Sequence, residues 1–432
     1  MATVAGPAGD LPASVGQRLL WVLERFRGDQ GAANVPIVLR LRGPLDHGLL
    51  AEGISALATR HESLRTTVAG RGRRLAQHVH AAPELVPIPV VELDAPKDSR
   101  DAAIEAAVLG EIGKPIDVES WPTRTTLWRL DDQDHVLCFN MHHAATDGWS
   151  CGLVLRDLSL LTDAKRPPLP EVGWQYSDFC AWQEEWLRGE RAKAAHEYWE
   201  RQLTGAESPG VPLRPTPAGA PRVDGSVSAE ISAHTVAALQ RVARARRTTL
   251  PTVMLALYYA VLQRATGEDD LAVASFMANR ADARAQETVG LLANMLVLRT
   301  RMKAVSGFDD LVRRAHDTVM AAYVHQGLPY QLLPAAAFQE ADRRADDVMF
   351  QMIPQQDVPR TVAGAAAEAV VVDNLGTRFE AEFQLYQRFG AIRAVFFFNA
   401  ARLERRWAAD LLADYVALAA RAAAGRDVLS GD

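Results

Sequence analysis

An α/β protein of two lobes is what the sequence predicts. Both halves alternate strand and helix patterns. A Pro-rich break (Pro167, Pro168, Pro170) separates them. The apolar content, 48% of 432 residues, is enough to fill two cores. The expected division is an N-terminal lobe over 1–170 and a C-terminal lobe over 171–432.

In the first lobe, apolar spacing predicts a helix from Ser14 through Gln17, Leu20 and Leu23. A half-buried strand follows at Ile37, Leu39 and Leu41, then a helix over Asp46 to Arg60. Leu64 to Val68 and Ala76 to His80 read as a hairpin turning at Gly70-Arg71-Gly72, whose basic run Arg71, Arg73, Arg74 reads as a solvated turn. Strands at Thr125 to Leu130 and Val136 to Met141 flank the turn 131–134, and a helix runs from Trp149 to Leu161. Beyond the break, one helix is expected to hold Trp182, Trp186, Tyr198 and Trp199, followed by a Pro/Gly-rich linker from Gly205 to Gly225. The pattern resumes with helix Thr249 to Ala265, strands Leu271 to Phe276 and Met295 to Thr300, and helix Phe308 to His325. Strand Ala391 to Asn399 and helix Leu403 to Ala424 complete it.

Composition excludes several classes. A net charge of -6 gives no phosphate-neutralising surface for nucleic acid. No stretch approaches the ~20 apolar residues of a membrane helix, and Met1 to Asp10 has neither the basic start nor the apolar run of a signal peptide. Cys138, Cys151 and Cys180 show no CxxC or metal spacing, so a reducing cytoplasm and three small buried apolar residues are expected. No metal or bound cofactor is expected, and a zinc site would lack further ligands at usable spacing.

The chemistry concentrates at His142-His143-Ala144-Ala145-Thr146-Asp147-Gly148, between a buried strand and an amphipathic helix. Rigid flanking elements make such a loop a precise platform. A neutral imidazole there accepts a proton near pH 7. Adjacent residues on extended backbone point to opposite sides, so the two histidines have different tasks, one facing substrate and one anchoring the loop. Asp147, if buried, needs a basic partner. Paired core histidines satisfied by backbone are the plain alternative. Gly148-Trp149-Ser150-Cys151-Gly152 also matches the G-x-S-x-G nucleophile elbow, which would make Ser150 a hydrolase nucleophile. An elbow turns directly from strand to helix, however, and here His142 to Asp147 intervene.

The segment Met141 to Ser150 resembles the HHxxxDG motif of nonribosomal peptide synthetase condensation domains, of the wider group that includes chloramphenicol acetyltransferase. Further blocks follow in register. Arg60-His61-Glu62-Ser63-Leu64-Arg65-Thr66 is similar to RHExLRT, and Tyr176-Ser177-Asp178-Phe179-Cys180-Ala181-Trp182-Gln183 to YxDFAxWQ. Ala278-Asn279-Arg280, Val289-Gly290, Asn294 and Arg299 match the segment ending in GxFxNTxxxR. Departures lie elsewhere. Leu19 stands where SxAQxRLW usually has arginine, HQDYPFE is reduced to His325 through Gln331, and RDxSRNPLFQV keeps only Phe350-Gln351, with Asp346 and Asp347 in its polar core.

The resemblance implies an α+β sandwich of two acetyltransferase-like lobes, a V-shaped pseudo-dimer with a central tunnel. It implies a cytoplasmic monomer that stands free, transferring an acyl or aminoacyl group from the phosphopantetheine thioester of a carrier protein in trans to an amine or alcohol acceptor. His143, His142 and Gly148 are then the catalytic positions. Asp147 is structural, with Arg299 its first expected partner and Arg280 or Arg65 behind it. Asn294, Trp149 and Ser150 are candidates for lining the tunnel. Epimerisation, lipid acyl transfer of the polyketide-associated kind, and a non-catalytic module that docks carriers or oxygenases remain open beside this reading.

Overall fold

The computed structural model describes residues 11–27, 33–70, 75–217, 222–333, 343–355, 357–370, 377 and 379–429. Its contacts divide the chain into two compact units. The first comprises Met1–Gly189, Ala278–Ala293 and Gln356–Asp373, and the second Glu190–Met277, Asn294–Gln355 and Asn374–Asp432. This differs from a single cut at 170/171. The first cut falls later, at Gly189, and two further segments return to the first unit.

In the first unit the elements are β1 (Leu11–Pro12), α1 (Val15–Arg27), β2 (Asn34–Arg42), α2 (His47–Arg60), β3 (Thr66–Ala69), β4 (Ala76–Val79), β5 (Val90–Glu92), α3 (Arg100–Ile112), β6 (Thr123–Asp131), β7 (Asp134–His142), α4 (Gly148–Leu161) and α5 (Tyr176–Trp186). The second unit holds α6 (Glu190–Leu203), β8 (Asp224–Ile231), α7 (Ala233–Ala245), α8 (Leu250–Thr266), β9 (Asp270–Met277), β10 (Asn294–Arg301), α9 (Phe308–Val324) and β11 (Val348–Ile353). Then β12 (Thr361–Val362) and β13 (Ala365–Ala369) rejoin the first unit, and β14 (Ala381–Arg388), β15 (Ala391–Asn399) and α10 (Arg405–Ala423) complete the second.

Each unit has one six-stranded sheet, ordered β12-β13-β2-β7-β6-β5 in the first and β10-β9-β11-β14-β15-β8 in the second. All nine residues of β7 are buried. It pairs on both sides, and its faces are covered by α2 and α4 on one side and α3 on the other, which is why it reads as a nearly continuous apolar run. The hairpin of β3 and β4 forms as expected, while Arg71, Arg73 and Arg74 lie outside the described residues. The first residues, Met1 to Asp10, lie outside them too.

The second unit is built around α8, apolar on all sides and buried from Thr252 to Leu262. Its ends follow local chemistry. The Thr249 side chain accepts the Thr252 N–H, Pro251 stands in the first turn, and Gly267 adopts φ +75° to close the helix. The one helix expected over Trp182 to Trp199 is two, α5 and α6, broken at Gly189. Elements α3, α7, β8, β11 and β14 were not expected, although α7 is as amphipathic as α1.

Among the described residues no helix is long and apolar enough to cross a membrane. Cys138 and Cys151 are buried and Cys180 is partly exposed, packed against the Tyr176 and Phe179 cluster; burial pushes all three thiols up to about 12.

Candidate functional site

The HHxxxDG stretch leaves the end of β7 and turns into α4, all within the first unit. The backbone is tied down before any side chain acts. His142 N–H donates to Pro122 O at 2.8 Å, His143 N–H to Ala33 O at 2.7 Å, and Ala145 N–H to His142 O at 2.9 Å.

The two imidazoles are held in different tautomers. His142 is 1% exposed, its Nδ1 accepts the Ala144 N–H at 3.0 Å, and its Nε2 therefore donates to Glu24 Oε1 at 2.8 Å. It anchors the loop to α1. His143 is partly exposed, and its Nδ1–H donates to Thr146 O at 2.8 Å. In the neutral ring this leaves the lone pair on Nε2, the nitrogen able to take a proton. The two rings face different surroundings, but the reason is not strand alternation: β7 ends at His142, and His143 lies in the turn that follows.

Asp147 is the N-cap of α4, its side chain 1% exposed. Its carboxylate accepts N–H groups from Ser150 (2.8 Å), Leu292 (3.0 Å) and Ala293 (2.9 Å), and the Ser150 hydroxyl at 2.8 Å. Both terminal nitrogens of Arg280 bind it, at 2.9 and 3.1 Å. Burial alone would push this carboxyl up. The Arg280 charge and these hydrogen bonds outweigh burial and hold it below the usual range.

The partner is thus Arg280, not Arg299. Asn279, at φ +54°, turns the chain just after β9 and delivers Arg280 to the loop, a conformation asparagine tolerates better than most residues. Arg299 lies in the second unit, where it binds Asp270 and the carbonyls of Gln202, Thr204 and Gly205. Arg65 is consumed by the carbonyls of Ala58 and His80. The expected order, Arg299 ahead of Arg280 and Arg65, is overturned by the return of Ala278–Ala293 to the first unit, which brings Arg280 to the loop.

Ser150 is neither an exposed nucleophile nor a tunnel wall. It is fully buried, its hydroxyl within 3.1 Å of Asp147, Arg280 and both backbone groups of Gly290, and among the described residues none of its bonds is to a histidine. Asn294 is likewise buried. Its amide donates to the carbonyls of Gln326 and Leu328 and accepts the Tyr330 N–H, pinning the reduced His325–Gln331 block. Of the three lining candidates only Trp149 is half exposed, with its indole N–H on Gln286 O at 3.0 Å. At Gly148 an added Cβ would meet nothing within 4 Å, so packing within the chain does not demand glycine there.

Several supporting residues carried no role in the sequence reading. Ser14 and Gln17 cap the start of α1 reciprocally, and Gln17 reaches Ala144 O at 3.3 Å. Tyr176 Oη meets Ser14 Oγ at 2.8 Å, and its ring lies so close to Gly290 that a Cβ there would come within 2.2 Å. Only glycine fits. Glu24 was missed altogether. Its signal is spacing: two turns beyond Gln17, it lies on the same face of α1. His61 and Asp157 form a second buried pair, 2.9 Å apart, with Arg60 and Arg156 also on the carboxylate. Despite its burial, these bonds hold Asp157 at about 2. Among the described residues no cluster of histidine, cysteine and carboxylate could hold a metal.

Two six-stranded sheets, with a strand-to-helix histidine loop and a buried aspartate beneath it, are the features that comparison makes specific. The condensation domain family model matches residues 8–424, and the chain belongs to that family. A linear gramicidin synthase polypeptide of Brevibacillus parabrevis is 34% identical over 335 residues, 75% of this chain but only 6% of that protein. The chain therefore spans a small part of such a relative. Among solved structures, the SgcC5 protein of Streptomyces globisporus, in complex with (R)-(-)-1-(2-naphthyl)-1,2-ethanediol and sucrose, is 26% identical with a TM-score of 0.78, covering 96% of this chain and 99% of that one. The X-domain from teicoplanin biosynthesis has a TM-score of 0.84 at 23% identity, covering 99% and 98%, and is also known in complex with OxyB.

Proposed function

We propose that this chain is an acyltransferase that moves an acyl or aminoacyl group from the phosphopantetheine thioester of a carrier protein to an amine or alcohol. The observation that carries the reading is the His143 tautomer. With Nδ1–H spent on Thr146 O, the proton-accepting nitrogen is Nε2 of a partly exposed ring. His143 takes the proton of the attacking N–H or O–H as the new bond to the acyl carbon forms. It then returns the proton to the departing thiolate. General acid–base action of this kind contributes about 10²–10⁴-fold. The side-chain-free space at Gly148 is consistent with substrate passing there.

His143→Ala is expected to keep the fold by circular dichroism and to lower acyl transfer at least about 100-fold. A rate within about threefold of wild type removes His143 from the chemistry. The SgcC5 ligand is a diol without an amine, so the acceptor panel pairs aryl vicinal diols with amines.

The other reading is a docking module without turnover, favoured by the fold likeness to the X-domain known in complex with OxyB. The intact histidine pair, with its tautomers fixed, supports catalysis instead. Wild-type protein that turns over no thioester yet binds an oxygenase reverses that preference.

A further inference from the structure

A cleft of about 500 Å³ opens within the second unit between α6, β10 and α9. Its charged lining is Arg201, Arg299, Arg301, Arg313 and Arg314 against a single carboxylate, Asp317. The arginines divide into two sets. Arg299 and Arg314 are fixed on backbone carbonyls and build the floor. Arg301 and Arg313 are 75% and 62% exposed, and Arg201, also exposed, has no carboxylate partner among the described residues. Asp270 is shared by Arg299 and Arg301, and Asp310 by Arg313 and Arg314, so five guanidinium groups face three carboxylates and a positive excess remains. On a chain of net charge -6 this is a local reversal of sign.

The cleft does not stand alone. Along α9, Met320, Tyr323 and Val324 are 47%, 44% and 71% exposed at i, i+3, i+4 spacing. Arg313, Asp317, Met320 and Val324 recur along one face of the helix, so the basic end passes into an apolar end. A small anion needs only the first half. An acidic helix with its own apolar stripe engages both, by charge at one end and burial at the other.

We infer that this α6–β10–α9 face docks an acidic amphipathic helix of the acyl-loaded carrier protein; the identity of the partner rests on the acyl-transfer reading above. Rim charges of this kind act mainly on association rate and salt dependence.

The test is fluorescence anisotropy of a labelled, phosphopantetheine-bearing carrier protein against the full chain. The Arg201→Glu/Arg313→Glu double variant, at exposed positions outside the histidine loop, is expected to raise Kd at least tenfold while keeping a folded circular dichroism spectrum at the assay temperature; Arg201→Ala/Arg313→Ala, which places no like charge beside Asp310 and Asp317, is expected to raise it less but in the same direction. Val324→Asp is expected to raise it several-fold, and Glu→Lys reversals on the carrier helix to restore binding to the double variant. Turnover of a short pantetheine thioester by the double variant stays at wild-type level. Unchanged carrier binding in the double variant, or no carrier binding by wild type, overturns the inference. So does displacement of the carrier by inorganic phosphate or coenzyme A beyond the effect of sodium chloride at equal ionic strength, which marks a small-anion site. Wild type that binds carrier through this face but turns over no thioester leaves the docking surface standing and removes acyl transfer instead.

Discussion

Asp147–Arg280 and Asp270–Arg299 join the same residue types by similar two-nitrogen contacts, yet they are different objects. Asp147 and Arg280 have side chains 1% and 2% exposed, and the carboxylate is saturated by three N–H groups, a hydroxyl and the guanidinium. Asp270 is 43% exposed, and Arg299 divides its donors between it and three carbonyls. Burial raises the stake. Once dehydrated, neither charge of the first pair can exchange its counter-charge for water, even though Arg280 also donates to the Ala278 and Thr288 carbonyls, whereas water can replace Asp270 beside Arg299. The first pair therefore fixes the histidine loop to residues 280–293, and the second trims the edge of a sheet.

The largest effect expected from this contrast is at Asp147. Asp147→Ala leaves Arg280 buried without its counter-charge and strips three N–H groups, a loss of about 3–5 kcal/mol in urea unfolding. Asp147→Leu combined with Arg280→Met should recover much of it, because the uncompensated charge is gone. Wild-type stability in Asp147→Ala would break the comparison.

Acid sharpens it further. Asp147 and Asp157 are both held below their ordinary values, so the unfolded chain binds more protons between the two pKa values. Their contribution is present above an unfolded value of about 4 and is lost as pH falls, for Asp157 through about 2. Asp157→Asn should therefore be less stable than wild type at pH 7 and show a shallower loss between about pH 4 and 2 in circular dichroism melts. An unchanged acid profile would mean that the His61 and arginine contacts do not stabilise the ionised carboxylate.

The smallest effect belongs to Arg299. Arg299→Ala is expected to cost about 1 kcal/mol, with kcat for a pantetheine thioester unchanged, because its partners are half exposed or are carbonyls that water can reach. A loss as large as that at Asp147 would show that exposure is not what separates the pairs.

The elements legible in the sequence are those whose signal is local. Apolar spacing located α1, α2, α4, β2, β6 and β7, whereas α8, apolar on all sides, was legible as a continuous apolar run. The motif placed His142 at the end of a buried strand and His143 in the turn that follows. What stayed hidden depends on neighbours distant in sequence. Strand β14 owes its place to pairing with β11 and β15, which lie apart from each other in the chain. Glu24 meets His142 across 118 positions, and Arg280 meets Asp147 across 133. Sequence alone determined that Asp147 would need a cation if buried, since an isolated charge is too costly to dehydrate. Only the tertiary structure decided which arginine meets it and that Ser150 is sealed beneath the loop, because burial is a property of the assembled contacts and not of any local stretch.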